Sequence, residues 1–77
     1  MTASNIIKSI RNKYGYTQDD MAKMLDMTRQ SYNSLENNPS KASFEKIYEI
    51  FRLLDEDITD FLIALKQDYL SQKDEQE

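Results

Sequence analysis

Residues 17–37 read TQDDMAKMLDMTRQSYNSLEN, and this stretch, Thr17 to Asn37, decides the fold. Two short helical patterns flank a tight turn at Asp26 and Met27. Thr17 is a good helix cap, and Asp20 three residues on completes a box-like pair. Met21, Ala22, Met24 and Leu25 give the first helix, expected over 18–25, one apolar face. Thr28 caps the second helix. It ends near Asn37, because Pro39 disfavours helical geometry at Asn38. Tyr32 and Leu35 point inward from it, with Met27 packing just before its start. Its opening residues, Thr28, Arg29, Gln30 and Ser31, are polar groups suited to touching the edges of bases.

Outward from this stretch the pattern stays helical. Gly and Pro occur once each, at Gly15 and Pro39, and no run of alternating β-branched residues appears, so an all-α chain of five helices is expected. The first helix covers about 4–14, with Ile6, Ile7, Ile10 and Tyr14 on one face and Gly15 as its left-handed end. After a polar loop at 38–42, Ser43 caps a fourth helix with Phe44, Ile47, Ile50, Phe51 and Leu54 as its stripe. Asp57 caps a fifth helix that runs to about Leu70, with Asp60 near the positive end of its dipole. Residues 1–70 thus form one domain. The charged tail, 71–77, lacks apolar anchors and is expected to be disordered.

Composition narrows the function. The 77 residues suffice for one small domain, and 39% hydrophobic with 31% charged residues fits a folded one. Without Cys or His there is no disulfide, no thiolate chemistry and no usual zinc ligand set, so no cofactor or metal is expected. Asp19-Asp20 and Asp55-Glu56-Asp57 read as caps and dipole partners rather than an acid/base pair. The spacing of Asp55, Asp57 and Thr59 is a poor match to a calcium loop, which needs a Gly and a distal Glu. An enzyme is therefore not expected. No apolar run can span a membrane and the polar start is no secretory signal, which makes a cytoplasmic location the default.

The net charge of −4 is unfavourable for DNA, but its distribution is not even. Residues 1–46 carry seven Lys and Arg against five acids, a net +2. Residues 47–77 carry three against nine, a net −6. The half that holds the candidate reading helix is mildly basic. Thr28 leaves free backbone amides that attract phosphate. Arg29 can bind guanine and Gln30 adenine through paired hydrogen bonds, and Asn33 and Ser34 lie one turn further along the exposed face. Lys8, Lys13 and Lys23 read as ordinary solubilising charges, and Met21, Met24 and Met27 as core.

Arg11, Gly15, Thr17-Gln18, Ala22, Leu25, Thr28, Ser31, Leu35-Glu36, Pro39-Ser40 and the stretch Leu54 to Leu62 together resemble the lambda repressor and Cro family of helix-turn-helix proteins, the XRE family. The resemblance covers roughly residues 4–63. It implies a five-helix lambda repressor-like fold with an extended C-terminal helix. It implies base reading by Arg29, Gln30, Asn33 and Ser34 and phosphate contacts by Gln18 and Asn37, with Lys41 and Ser43 as further phosphate candidates. It also implies a structural ion pair between Arg11 and Glu36. Three departures stand out. Asp26 replaces the usual turn Gly, Tyr32 exceeds the usual branched aliphatic, and the loop after the third helix lacks Arg. With the acidic C-terminal part, the last implies modest, salt-sensitive affinity.

The fifth helix holds more apolar surface than one small core uses. Phe61 and Leu62 are expected to close the core, leaving Ile63, Leu65, Tyr69 and Leu70, on a dimerisation helix over 57–70, to meet a second copy. A dimer would set two reading helices about 34 Å apart on a palindromic operator in double-stranded DNA. The leading expectation is a dimeric, sequence-specific transcriptional regulator, a repressor of phage, mobile-element or bacterial origin, with no room for an effector domain. The alternatives are an antitoxin or a restriction-modification controller of the same fold, or an interaction module that no longer binds DNA. A toxin or an antirepressor would then be a protein partner.

Overall fold

Polar caps fix where the helices begin. In the computed structural model, which describes the backbone of residues 2–76 and the side chains of residues 2–71, five α-helices and one short 3-10 turn follow one another. They are α1 (Ala3–Lys13), α2 (Gln18–Met24), α3 (Arg29–Asn37), the 3-10 turn Pro39–Lys41, α4 (Phe44–Leu53) and α5 (Thr59–Gln76). Thr2, Thr17 and Thr28 each accept a hydrogen bond from the backbone N–H three residues on, and Thr17 with Asp20 forms a complete capping box. Ser43 does not behave this way: its side chain makes no capping bond, and Glu45 supplies the negative charge in the first turn of α4. Asp57 accepts from the Thr59 amide at 2.8 Å.

Helices α1, α2 and α4 end alike. Gly15, Asp26 and Asp55 all lie in the left-handed region, at φ 73°, 55° and 53°. In each case the next residue donates back to the carbonyl five positions earlier: Tyr16 to Arg11, Met27 to Ala22 and Glu56 to Phe51. This closure satisfies the last helical carbonyls. Glycine meets the geometry without strain, whereas each Asp costs about 1–2 kcal/mol.

The core gathers Ala3, Ile7 and Ile10 of α1, Met21, Ala22 and Leu25 around α2, Tyr32 and Leu35 of α3, Ile47, Ile50, Phe51 and Leu54 around α4, and Phe61 and Ala64 of α5. Phe51 and Phe61 meet with ring centroids 5.3 Å apart. Met24 and Met27 are partly buried against this cluster. Several expected core positions are corrected. Phe44 is 52% exposed and stacks on exposed Tyr48, four residues on, along a line beside the stripe of Ile47, Ile50, Phe51 and Leu54. Tyr14 lies at the surface, its one hydroxyl hydrogen shared between the Leu54 carbonyl, 3.0 Å away, and Glu56.

Helix α5 also sits differently from the expectation. Phe61, Ala64, Leu65 and Asp68, at helical spacing, turn toward the domain, and the small Ala64 allows close approach to α1. Leu62 therefore does not close the core and is 40% exposed. Asp68 Oδ2 accepts from the Ala3 amide at 3.1 Å, tying α5 to the start of α1. The helix continues to Gln76, past Leu70. The expectation of a disordered tail at 71–77 lies, for all side chains but Ser71, outside the described residues.

Candidate nucleic-acid interface

Two short helices present an exposed edge only if something holds them at a set angle. Met21, Ala22 and Leu25 from one side and Tyr32 and Leu35 from the other make a dry seam between α2 and α3. The connecting turn is pinned twice. The Met27 amide donates to the Ala22 carbonyl at 2.8 Å. Lys46 of α4 donates through Nζ to the Leu25 carbonyl at 2.7 Å, a cation at the negative end of α2.

Beneath this edge lies a fully buried charge. Glu36 has 0% relative exposure. Arg11 grips it in a fork, Nε to Oε2 at 2.8 Å and Nη2 to Oε1 at 3.1 Å, while Arg11 Nη1 donates to the Tyr16 carbonyl at 2.9 Å. The Tyr32 hydroxyl donates to Oε2 at 2.7 Å and Gln18 Nε2 to Oε1 at 3.1 Å. Burial alone would raise the Glu36 pKa. The hydrogen bonds from Arg11, Tyr32 and Gln18 outweigh it and hold the carboxyl below its ordinary range. The same contacts raise Arg11, and burial with the Glu36 bond raises Tyr32. The cluster is therefore an ionised pair with a neutral phenol.

Above it, the four base-reading candidates Arg29, Gln30, Asn33 and Ser34 are all exposed on α3. They are not equally free. Arg29 lies 3.7 Å from Asp19 at the start of α2, both side chains well exposed. Asn33 donates through Nδ2 to Gln18 Oε1 at 3.1 Å and accepts from Asn37 Nδ2 at 3.1 Å. Gln30 and Ser34 face a groove of about 430 Å³ shared with Lys41, Ser43 and Lys46, floored by Met27, Leu35 and Ala42. Among the phosphate candidates, Thr28 bonds its own helix start and the Ser31 hydroxyl, so its backbone rather than its side chain is available. Lys41 and Ser43 lie across the groove, both exposed. The structure thus brings Gln30, Ser34, Lys41 and Ser43 to one rim and Gln18, Asn33 and Asn37 to another.

A family model described as helix-turn-helix matches residues 7–61, which span α1 through the start of α5 and include the whole exposed edge. The chain belongs to the XRE-type helix-turn-helix family. Its all-α, lambda repressor-like architecture agrees with that membership. The family is one of DNA-binding regulators and not of enzymes. A curated relative, Antitoxin HipB of Escherichia coli O6:H1, is 29% identical over 56 residues. The match covers 73% of this chain and 60% of that protein, so the chain spans about three-fifths of its relative's length. No solved structure matches. Among the described residues no helix is long and apolar enough to cross a membrane.

Sequence reading missed several residues that shape this edge. Tyr32 reads as a core or core-edge residue with its hydroxyl in water, yet that hydroxyl is buried against the Glu36 carboxylate. The legible signal was its position four residues before Glu36, one helical turn away. Lys46 and Asp19 carried no local signal, because both meet partners on other helices.

Of the four dimer candidates, Ile63, Tyr69 and Leu70 are exposed, whereas Leu65 is partly buried against its own core. Its place four residues after Phe61 draws it inward. Exposed Leu62 lies one two-turn repeat before Tyr69, and Ile63 one before Leu70.

Proposed function

We propose that this chain is a sequence-specific repressor that acts as a homodimer in the cytoplasm, reading a palindromic operator with the N-terminal half of α3. The observation that carries this reading is the exposed start of α3, with Arg29 and Gln30 held on a seam of buried side chains and pinned at the turn. Arg29 and Gln30 suit guanine and adenine edges, and Ser34 follows one turn later. Backbone amides after Thr28, with Lys41 and Ser43 across the groove, supply phosphate contacts. The apolar face of Leu62, Ile63, Tyr69 and Leu70 supports pairing of two copies through α5, which would place two α3 helices one DNA turn apart. Bound over a promoter, such a dimer excludes polymerase.

Selection from a random duplex pool, followed by titration on the recovered site and on the chain's own upstream DNA, tests the reading. A two-fold-symmetric site bound far more tightly than random DNA is expected, with affinity lost in Arg29→Ala and Gln30→Ala. Binding no tighter than to random DNA would overturn it and leave the fold as a protein-interaction module.

The similarity to Antitoxin HipB supports a second reading, an antitoxin that represses its own operon and holds a toxin. Co-purification with the product of the adjacent gene, and relief of that product's toxicity, is its test. Absence of both removes it and leaves the repressor.

A further inference from the structure

We propose that Gln18, Asn33 and Asn37 form a row of amide N–H donors facing the DNA backbone, oriented in one sense by the buried carboxylate of Glu36, and that Asn33 is a positioning residue in this row rather than a base reader. This rests on the DNA-binding reading and deepens it.

The direction of the row follows from acceptor chemistry. An ionised carboxylate only accepts. Gln18 can therefore meet Glu36 only through its nitrogen, as the 3.1 Å contact of Nε2 with Oε1 shows. Its oxygen is thereby turned outward, where only a donor can satisfy it, and Asn33 Nδ2 does so at 3.1 Å. The Asn33 oxygen then faces Asn37 and takes Nδ2 from it, again at 3.1 Å. Each amide nitrogen carries two hydrogens and commits one to the row. Three N–H groups stay free, while the oxygens of Gln18 and Asn33 already hold a donor. Such an edge suits phosphodiester oxygens, which only accept, better than an adenine edge, which requires a donor and an acceptor together.

Position agrees with chemistry. Gln18 is the first residue of α2 and Asn37 the last of α3, so the row runs from α2 to the far end of α3 and meets the face of Arg29 and Gln30 one turn on, at Asn33. In helix-turn-helix docking the first helix of the pair crosses the backbone while the start of the second enters the groove. An amide bonded to α2 belongs with the backbone. Neutral donors also suit a chain whose reading half carries a net charge of only +2. They grip phosphate without the counterion release that lysines provide.

The experiment is Asn33→Ala, titrated by fluorescence anisotropy on the selected operator, on each of its single-base variants and on random duplex, over a range of salt. Affinity is expected to fall about tenfold on every duplex alike, on the scale of lost hydrogen bonds. Base preference should be unchanged and the slope of log affinity against log salt should be unchanged, because no charge is removed. In the free variant the side-chain amide NMR signals of both Gln18 and Asn37 should shift, with melting temperature kept. Loss of preference at one base pair would show Asn33 to be a reader and overturn the proposal, as would undiminished affinity or unmoved amide signals. If the unaltered chain binds no DNA, the functional reading itself fails and this proposal with it.

Discussion

The Tyr32 hydroxyl donates to Glu36 Oε2 at 2.7 Å, and neither side chain is exposed to solvent. A residue whose ring fills the core thus brings a third kind of donor, after Arg11 and Gln18, to the buried charge. Tyr32→Phe keeps the ring and deletes that donor. It should lower stability by about 2 kcal/mol, the usual scale for a hydrogen bond to a charged group. Urea unfolding measures it, and an unchanged midpoint would mean that the carboxylate does not depend on the phenol.

Arg11 and Glu36 make a second prediction through pH. Glu36 is held below its ordinary value in the folded protein. Its stabilisation is complete above the unfolded carboxylate value, about 4.3, and is lost as pH falls from there through the folded value. Stability should therefore be flat in this respect from about pH 5 upward and drop below pH 4. In Arg11→Met the carboxylate is buried without its cation, at a cost of about 3–5 kcal/mol near neutral pH. Burial then dominates and raises the Glu36 pKa, so that variant should gain stability on going from pH 7 to pH 5. Denaturation series at both pH values should show no such change in the unaltered protein and a gain at pH 5 in Arg11→Met.

The Arg29 guanidinium rests beside Asp19, 3.7 Å away. Asp19→Asn releases Arg29 and removes a negative charge from the edge proposed to meet DNA. Affinity for the operator should rise about two- to fivefold at low salt, with the gain vanishing as ionic strength screens it. Titrations at about 50 and about 300 mM salt, on either side of physiological strength, separate this from a structural effect.

The apolar face of α5 divides into two classes of position. Tyr69→Glu and Leu70→Glu change exposed residues, so helicity and melting should hold while a dimer dissociates in sedimentation. Leu65→Glu places a charge against the core and should unfold the monomer instead. A monomeric unaltered chain at micromolar concentration would remove dimerisation through this face.

Gly15 has φ 73°, yet a Cβ added there would meet no atom within 4 Å. Gly15→Ala should therefore cost only the backbone strain, about 1–2 kcal/mol. Asp26→Gly and Asp55→Gly relieve the same strain in the folded state but loosen the unfolded chain. Each should change stability by less than about 1 kcal/mol. Thermal melts of the three variants check the shared geometry.

Much of this architecture is legible in the chain because it depends on near neighbours. Caps at Thr17 and Thr28, the left-handed ends at Gly15 and Asp26, and the apolar spacing of Met21, Ala22 and Leu25 are all local, and the structure carries them. Asp55 escaped notice because an Asp among acids gives no sign of a positive φ. Phe44 and Leu62 were misjudged because apolar character does not say which of two adjacent helical stripes meets the core.

The sequence by itself determined five helices, the approximate bounds of the first four, and a polar opening to α3, since capping, helical periodicity and turn chemistry act over three or four residues. Only the tertiary structure decided which polar residues are free to meet DNA. Glu36 lies 25 positions from Arg11 and 18 from Gln18, Lys46 lies 21 from Leu25, and Asp68 lies 65 from Ala3. Such contacts exist only after the helices have packed, and the direction of the amide row at Gln18, Asn33 and Asn37 follows from burying one carboxylate among them.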